Sequence, residues 1–164
     1  MKQISYYICD HFENDKFSIL ERLHINKDIK SYNYHPKTKN ELKQLVYKLI
    51  IERGYDADLN DIDTSEITDM SFMFNGSYFN GDISEWDVSN VKYMSYMLGN
   101  SSFTGENGDI SKWDVSNVED MDYMFYYSEF NGDISNWDVK KVKTMKDIFN
   151  LSPLEKNPPK WYTK

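Results

Sequence analysis

A single cysteine stands in the 164 residues. Cys9 therefore closes no intrachain disulfide and cannot by itself build a zinc site. Basic residues are also short, with 19 Lys plus Arg against 27 Asp plus Glu and a net charge of −8. That balance argues against a passive nucleic-acid binder, which needs a basic face to neutralise phosphates. Leucine is scarce, so the core is not filled as a helical bundle's would be. No window approaches the length of apolar run that a membrane-spanning helix needs. The opening stretch MKQISYYICDHFENDKFSIL breaks its apolar run after Cys9 with Asp10, His11, Glu13, Asn14 and Asp15. It carries no signal-peptide core and no small-residue cleavage site, and the chain reads as cytoplasmic.

Histidine is sparse too. His11, His24 and His35 show no metal-ligand spacing, and no G-x-S-x-G, H-E-x-x-H or phosphate-binding loop appears. Catalytic residues, cofactor and metal are all expected to be none. What the chain has instead is aromatic and periodic: 13 Tyr, 9 Phe, 4 Trp and 8 Met.

The periodicity is an internal repeat. Aligned on Asp-Ile-Ser, the units begin at Asp58, Asp82, Asp109 and Asp133, at steps of 24, 27 and 24 residues. The three additional residues lie beside Asn107-Gly108, where a loop absorbs them. Each unit has two apolar blocks. The first runs Ile83, Trp86, Val88, then Ile110, Trp113, Val115, then Ile134, Trp137, Val139, and its Trp-x-Val alternation predicts a short strand. The second runs Val91, Met94, Met97, Leu98 and then Val118, Met121, Met124, Phe125, and its steps of three and one predict two helical turns with one buried stripe. Ser116 with Glu119 reads as a capping box for such a helix. Phe79, Phe103 and Phe130 close the units, and Asn80-Gly81 and Asn131-Gly132 after two of them supply residues for positive-φ turns. Units this small bury their faces only by stacking on neighbours. The expected fold is a short α/β solenoid, leucine-rich-repeat-like and right-handed, with one strand and one helix per unit.

The motif WDVSNV-x-x-M-x-x-MF-x-x-x-x-FNGDIS resembles the repeat of bacterial BspA-like leucine-rich-repeat proteins, the Mycoplasma lipoprotein-type surface-protein repeat. The resemblance covers about residues 36–164. It implies a scaffold for protein recognition with no catalytic residue to carry over, in a family many of whose members are surface proteins.

Four segments follow. Residues 1–35 match neither pattern, although Ile4, Tyr6 and Ile8 alternate like a strand and Phe17, Leu20 and Leu23 space like a short helix. Residues 36–57 hold an amphipathic capping helix, with Leu42, Leu45, Val46, Leu49 and Ile50 on one stripe and Gly54 as its stop. Residues 58–149 are the four repeats. Residues 150–164, with Pro153, Pro158 and Pro159, form an irregular cap that is neither helix nor central strand.

Charge is concentrated in the repeats. Residues 58–149 carry 18 acids and 6 bases, while each flank is mildly basic. Asp63, Asp87, Asp114 and Asp138 make one column, and Asp58, Asp82, Asp109 and Asp133 another. Asp caps turns and backbone amides, and the same columns also offer a surface to a basic partner. No run of closely spaced acids resembles a calcium loop. Two candidate faces result. On the strand face stand Glu85, Asp87, Lys112, Asp114, Asn136 and Asp138. On the helix face stand Phe72, Tyr93, Tyr96, Tyr123, Tyr126 and Tyr127, with Asp147 taking the aromatic's place in the last unit. Tyr is favoured at protein interfaces for its large buried area at low entropic cost; the other reading of this stripe is an aromatic rim over a small core. The expected function is a non-catalytic protein–protein interaction module for a basic protein partner, with no direct nucleic-acid binding and no membrane span. The alternatives are an acidic phage-type inhibitor that blocks a basic nucleic-acid site on a host enzyme, and a surface or adhesion protein.

Overall fold

The computed structural model describes residues 31–163. Cys9, His11, His24 and the strand and helix expected before residue 31 lie outside the described residues.

Helix α1 spans Lys39–Arg53. Thr38 starts it: its hydroxyl accepts from the Glu41 amide at 3.2 Å, and the Glu41 carboxylate reaches back to the Lys37 amide at 2.7 Å. The first contact satisfies a donor that the first helical turn leaves unpaired, and the second ties the residue before the cap to the helix. Gly54, at φ 98°, ends the helix by donating to the Ile50 carbonyl. Leu42, Val46 and Leu49 are buried in the same apolar cluster as the repeats. Charge fastens the exposed side. Lys39 pairs with Asp69 at 3.0 Å, and Arg53 grips Asp61 through two nitrogens at 3.0 and 2.9 Å.

Beyond α1 the expected architecture is overturned. Among the described residues the repeats contain no α-helix and no β-strand, only turns and isolated parallel bridges such as Asp58 to Asp82 and Tyr93 to Asp120. The α/β solenoid of one strand and one helix per unit, and the leucine-rich-repeat description that went with it, do not hold. The physical reason lies in the amides. The step of three from Met to Met is closed by a turn, Met97 N to the Met94 O at 3.1 Å and Met124 N to the Met121 O at 3.2 Å. The amides between and beyond cross to the next unit instead of reaching back four residues. Phe72, Phe74 and Gly76 donate to Ser95, Met97 and Gly99, and Tyr96, Leu98 and Asn100 donate to Asp122, Met124 and Tyr126. A buried amide needs one partner, and here the neighbouring unit supplies it.

The predicted strand fails in the same way. Trp86 N donates to Ile83 O and Val91 N to Val88 O, so Ile-x-x-Trp closes one turn and the next begins at Val88. Ser116 caps no helix; its amide donates to Asp114. Asn80-Gly81 and Asn131-Gly132 do not supply positive φ either. Gly81 is needed for close approach, since a Cβ there would lie 2.0 Å from the Ala57 carbonyl oxygen.

Positive φ falls elsewhere, at the third residue of successive turns. Of the two consecutive turns from Met70, Met94, Met121 and Met145 onward, the first places Phe72, Tyr96, Tyr123 and Asp147 there, and the second places Gly76, Asn100, Tyr127 and Leu151, with φ between 47° and 68°. No helix tolerates that conformation in its interior.

Tryptophan sets the stack of turns. The indole nitrogens of Trp86, Trp113 and Trp137 donate to the carbonyls of Leu59, Ile83 and Ile110 at 3.0, 3.3 and 3.1 Å. Trp161 continues the series onto Ile134 at 2.9 Å, so the last residues add a fourth member to the column. Phe79, Phe103 and Phe130 stack in parallel beneath, 6.4 and 6.0 Å apart. At the C-terminal end Pro153–Glu155 form a short 3-10 helix where no helix was expected, with Leu154 buried. Trp161 and Tyr162 lie against Phe149.

The turn geometry makes a signed prediction. Tyr96→Ala and Tyr96→Gly both remove the ring and differ in backbone strain. The Gly variant is expected to be the more stable by about 1 kcal/mol; inside a helix Ala would win by about 1 kcal/mol. Urea unfolding of the two variants reads the sign.

Candidate functional site: an aromatic ledge and two aspartate columns

The register that places equivalent turns side by side also stacks their third residues. Phe72 and Tyr96 lie 5.0 Å apart at 12°, and Tyr96 and Tyr123 lie 4.6 Å apart at 14°. Tyr126 stands edge-on to both tyrosines, 6.5 Å from Tyr96 and 5.8 Å from Tyr123. Where the column ends, Asp147 replaces the ring and the Lys146 ammonium sits 5.6 Å from the Tyr123 centroid. Contact with the Tyr123 hydroxyl raises the Lys146 pKa. Desolvation, with Tyr123 and Tyr126 beside it, raises that of Tyr96. Phe72, Tyr93 and Tyr127 are exposed and the other three half-buried. Of the six aromatics singled out from the sequence, four meet in this ledge. Tyr93 stands apart from the stack, its backbone bridging Asp69 on one side and Asp120 on the other, and Tyr127 belongs to the second turn.

The fold does not require rings here. Asp147 occupies the equivalent position at φ 47°, so the turn forms without one. Two stacked pairs contribute roughly 1–3 kcal/mol beyond burial, whereas three bulky residues in the left-handed region cost roughly 3–6 kcal/mol.

The aspartates are differently engaged. In the first column, Asp58, Asp82, Asp109 and Asp133 each accept from the amide two residues on, at 2.8, 2.8, 2.8 and 2.9 Å. In the second, Asp63, Asp87, Asp114 and Asp138 accept from Ser65, Ser89, Ser116 and Lys140. Each carboxylate caps its own turn, and this is how a column of like charges is tolerated. Hydrogen bonds from Ser116 hold Asp114 below the usual carboxylate range, and contact with Lys140 does the same for Asp138. On that face Lys112 and Asn136 are exposed, and Glu85 donates its amide to Asn60. Among the described residues no group of three or more His, Cys, Asp or Glu is arranged to hold a metal ion. No helix there is long and apolar enough to cross a membrane.

A family model described as "Mycoplasma protein of unknown function, DUF285" matches residues 40–161. The chain belongs to that family. No curated protein and no solved structure matches it. The DUF285 match begins inside α1 and ends on Trp161, so it takes in the ledge, both aspartate columns and the whole tryptophan series. The family description names no activity, and nothing in the match supports the inhibitor reading.

Acid should weaken this DUF285 chain. Arg53 holds Asp61, Ser65 holds Asp63, the Ser111 amide holds Asp109 and Ser135 holds Asp133 below the usual range, as for Asp114 and Asp138. A carboxylate with a lowered folded pKa contributes stability above its unfolded pKa of about 3.9, and loses it as pH falls through the folded value. The thermal midpoint is expected to stay level from about pH 7 to 5 and to fall below about pH 4. Asp114→Asn, which keeps the acceptor oxygen without titrating, should show a shallower acid loss. Melting curves by circular dichroism across pH test both.

Proposed function

We propose that this chain is a non-catalytic protein-recognition module whose partner meets the aromatic ledge. The carrying observation is the stack of Phe72, Tyr96 and Tyr123, held at positive φ in turns that also form around Asp147. Bulky side chains held in a strained conformation belong to the pattern of functional sites. Tyrosine ledges offer large, rigid contact area with a polar tip. The resemblance to BspA-like repeats, whose scaffolds recognise proteins, points the same way. A body with 18 acids and 6 bases favours a basic partner and repels phosphate. The aspartates of the other face already cap their turns, so their carboxylates are structural first.

An affinity pull-down from cells of the source organism, quantified by mass spectrometry, tests this reading. The Tyr96→Gly/Tyr126→Ala variant, in which glycine keeps the turn, should retain about tenfold less of the partner than the native chain, as loss of interface tyrosines implies. The Asp87→Asn/Asp114→Asn/Asp138→Asn variant should retain it. Loss with the Asn triple alone would move recognition to the aspartate face. Enrichment of no protein over a control resin would overturn the reading.

A further inference from the structure

Eight large apolar side chains stand exposed among the described residues, and seven of them line two adjoining hollows. The first hollow, about 330 Å³, opens between α1 and the first repeat. Tyr47, Ile51 and Tyr55 come from the helix side, with Phe72 and Tyr78 opposite. The second, about 410 Å³, crosses the second turns of all four units beside Tyr127 and Leu151. Gly76, Ser77 and Tyr78 belong to both. Tyr78 stands between them, 72% exposed, in an edge-on ring contact with Tyr55 at 6.0 Å between centroids. Scattered exposed apolar residues are ordinary, but a contiguous patch of them is not.

The two hollows differ in chemistry. The first is lined mainly by apolar and aromatic side chains, and its one charged side chain, Lys43, donates to the Phe72 carbonyl. The second is polar, and its one charged side chain is Glu129. Four serines line it, of which Ser101 and Ser128 are buried and Ser77 and Ser102 partly exposed. The Ser77 hydroxyl accepts from the Phe79 amide and keeps a proton to donate. That proton matches a backbone carbonyl. The second hollow takes one turn from each of four units, about 14 Å at the ~4.8 Å spacing of bridged chains, or roughly four residues of extended polypeptide.

We propose that the two hollows form one docking groove for an extended segment of a partner protein. An aromatic or large aliphatic side chain seats between Ile51, Tyr55 and Tyr78, and a Lys or Arg about four residues away faces Glu129. This rests on the protein-recognition reading and assigns it a second surface, adjoining the ledge at Phe72. Charge selects the occupant: the acidic body disfavours nucleic acid and anionic lipid, and Glu129 supplies the complement for a cation.

The test selects random displayed peptides of about twelve residues, long enough to span the groove, against the full chain. Enriched sequences are expected to pair an apolar anchor with a Lys or Arg. By fluorescence polarisation, Ile51→Asp and Tyr78→Ala should each weaken the best peptide by about tenfold, as loss of an anchor does. Glu129→Gln should weaken it about threefold and flatten its salt dependence. Ile51 is 80% exposed, so its replacement leaves the core intact, and circular dichroism verifies the fold of each variant. Failure to enrich any peptide, or peptides indifferent to Ile51→Asp and Tyr78→Ala, would overturn the groove. Peptides that instead lose binding with Tyr96→Gly/Tyr126→Ala would leave protein recognition standing and remove only this surface.

Discussion

The structure depends on a hydrogen bond from each tryptophan indole to a backbone carbonyl about one unit earlier in the chain. Trp86, Trp113, Trp137 and Trp161 all make it, and the first three are almost wholly buried. A buried indole without an acceptor costs roughly 1–3 kcal/mol. A slip in register would break several of these bonds together. With the register held, the amides of Phe72, Phe74 and Gly76 find Ser95, Met97 and Gly99, and their counterparts in the next units do the same. No strand or helix is needed, because each unit completes the hydrogen bonding of its neighbour.

That register carries consequences outward. Equivalent turns lie side by side, so their third residues form columns, and the rings of Phe72, Tyr96 and Tyr123 pack face to face. Aspartates also fall into columns, and each like-charged neighbour is tolerated because every carboxylate accepts from an amide of its own turn. The surface is thus divided by chemistry. One side is a row of capped acids, and the other a row of strained aromatics that runs into the hollow beside α1. The further exposed residues of that hollow, Tyr47, Ile51 and Tyr55, extend the aromatic side rather than the acidic one.

Much of the interior was legible in the residues alone. Ile83, Trp86, Met94, Met97 and Phe103 recur at fixed offsets, and each is buried. Leu42, Val46 and Leu49 follow one helical stripe and pack into the same cluster. The local conformation of the repeats was not legible. A step of three between buried methionines is shared by a helix and by a turn closed from residue i to i+3, and apolar pattern does not separate them. The aromatics at positive φ gave no signal either, since Phe and Tyr are poor candidates for that region. Trp161 had one available clue: it lies 24 residues after Trp137, at the spacing of the units before it. The groove had none, because it joins side chains of α1 to residues of all four units.

Sequence by itself determined the scarcity of cysteine, leucine and basic charge, the spacing of the units and the identity of the buried positions. These follow from composition and period, which need no coordinates. Tertiary structure alone decided whether each amide bonds within its own unit or across to the next. That choice turns on whether a neighbouring carbonyl lies within about 3 Å, a distance set by the packing of the whole stack. From it come the turns in place of helices, the ledge of rings and the hollow between α1 and Tyr78.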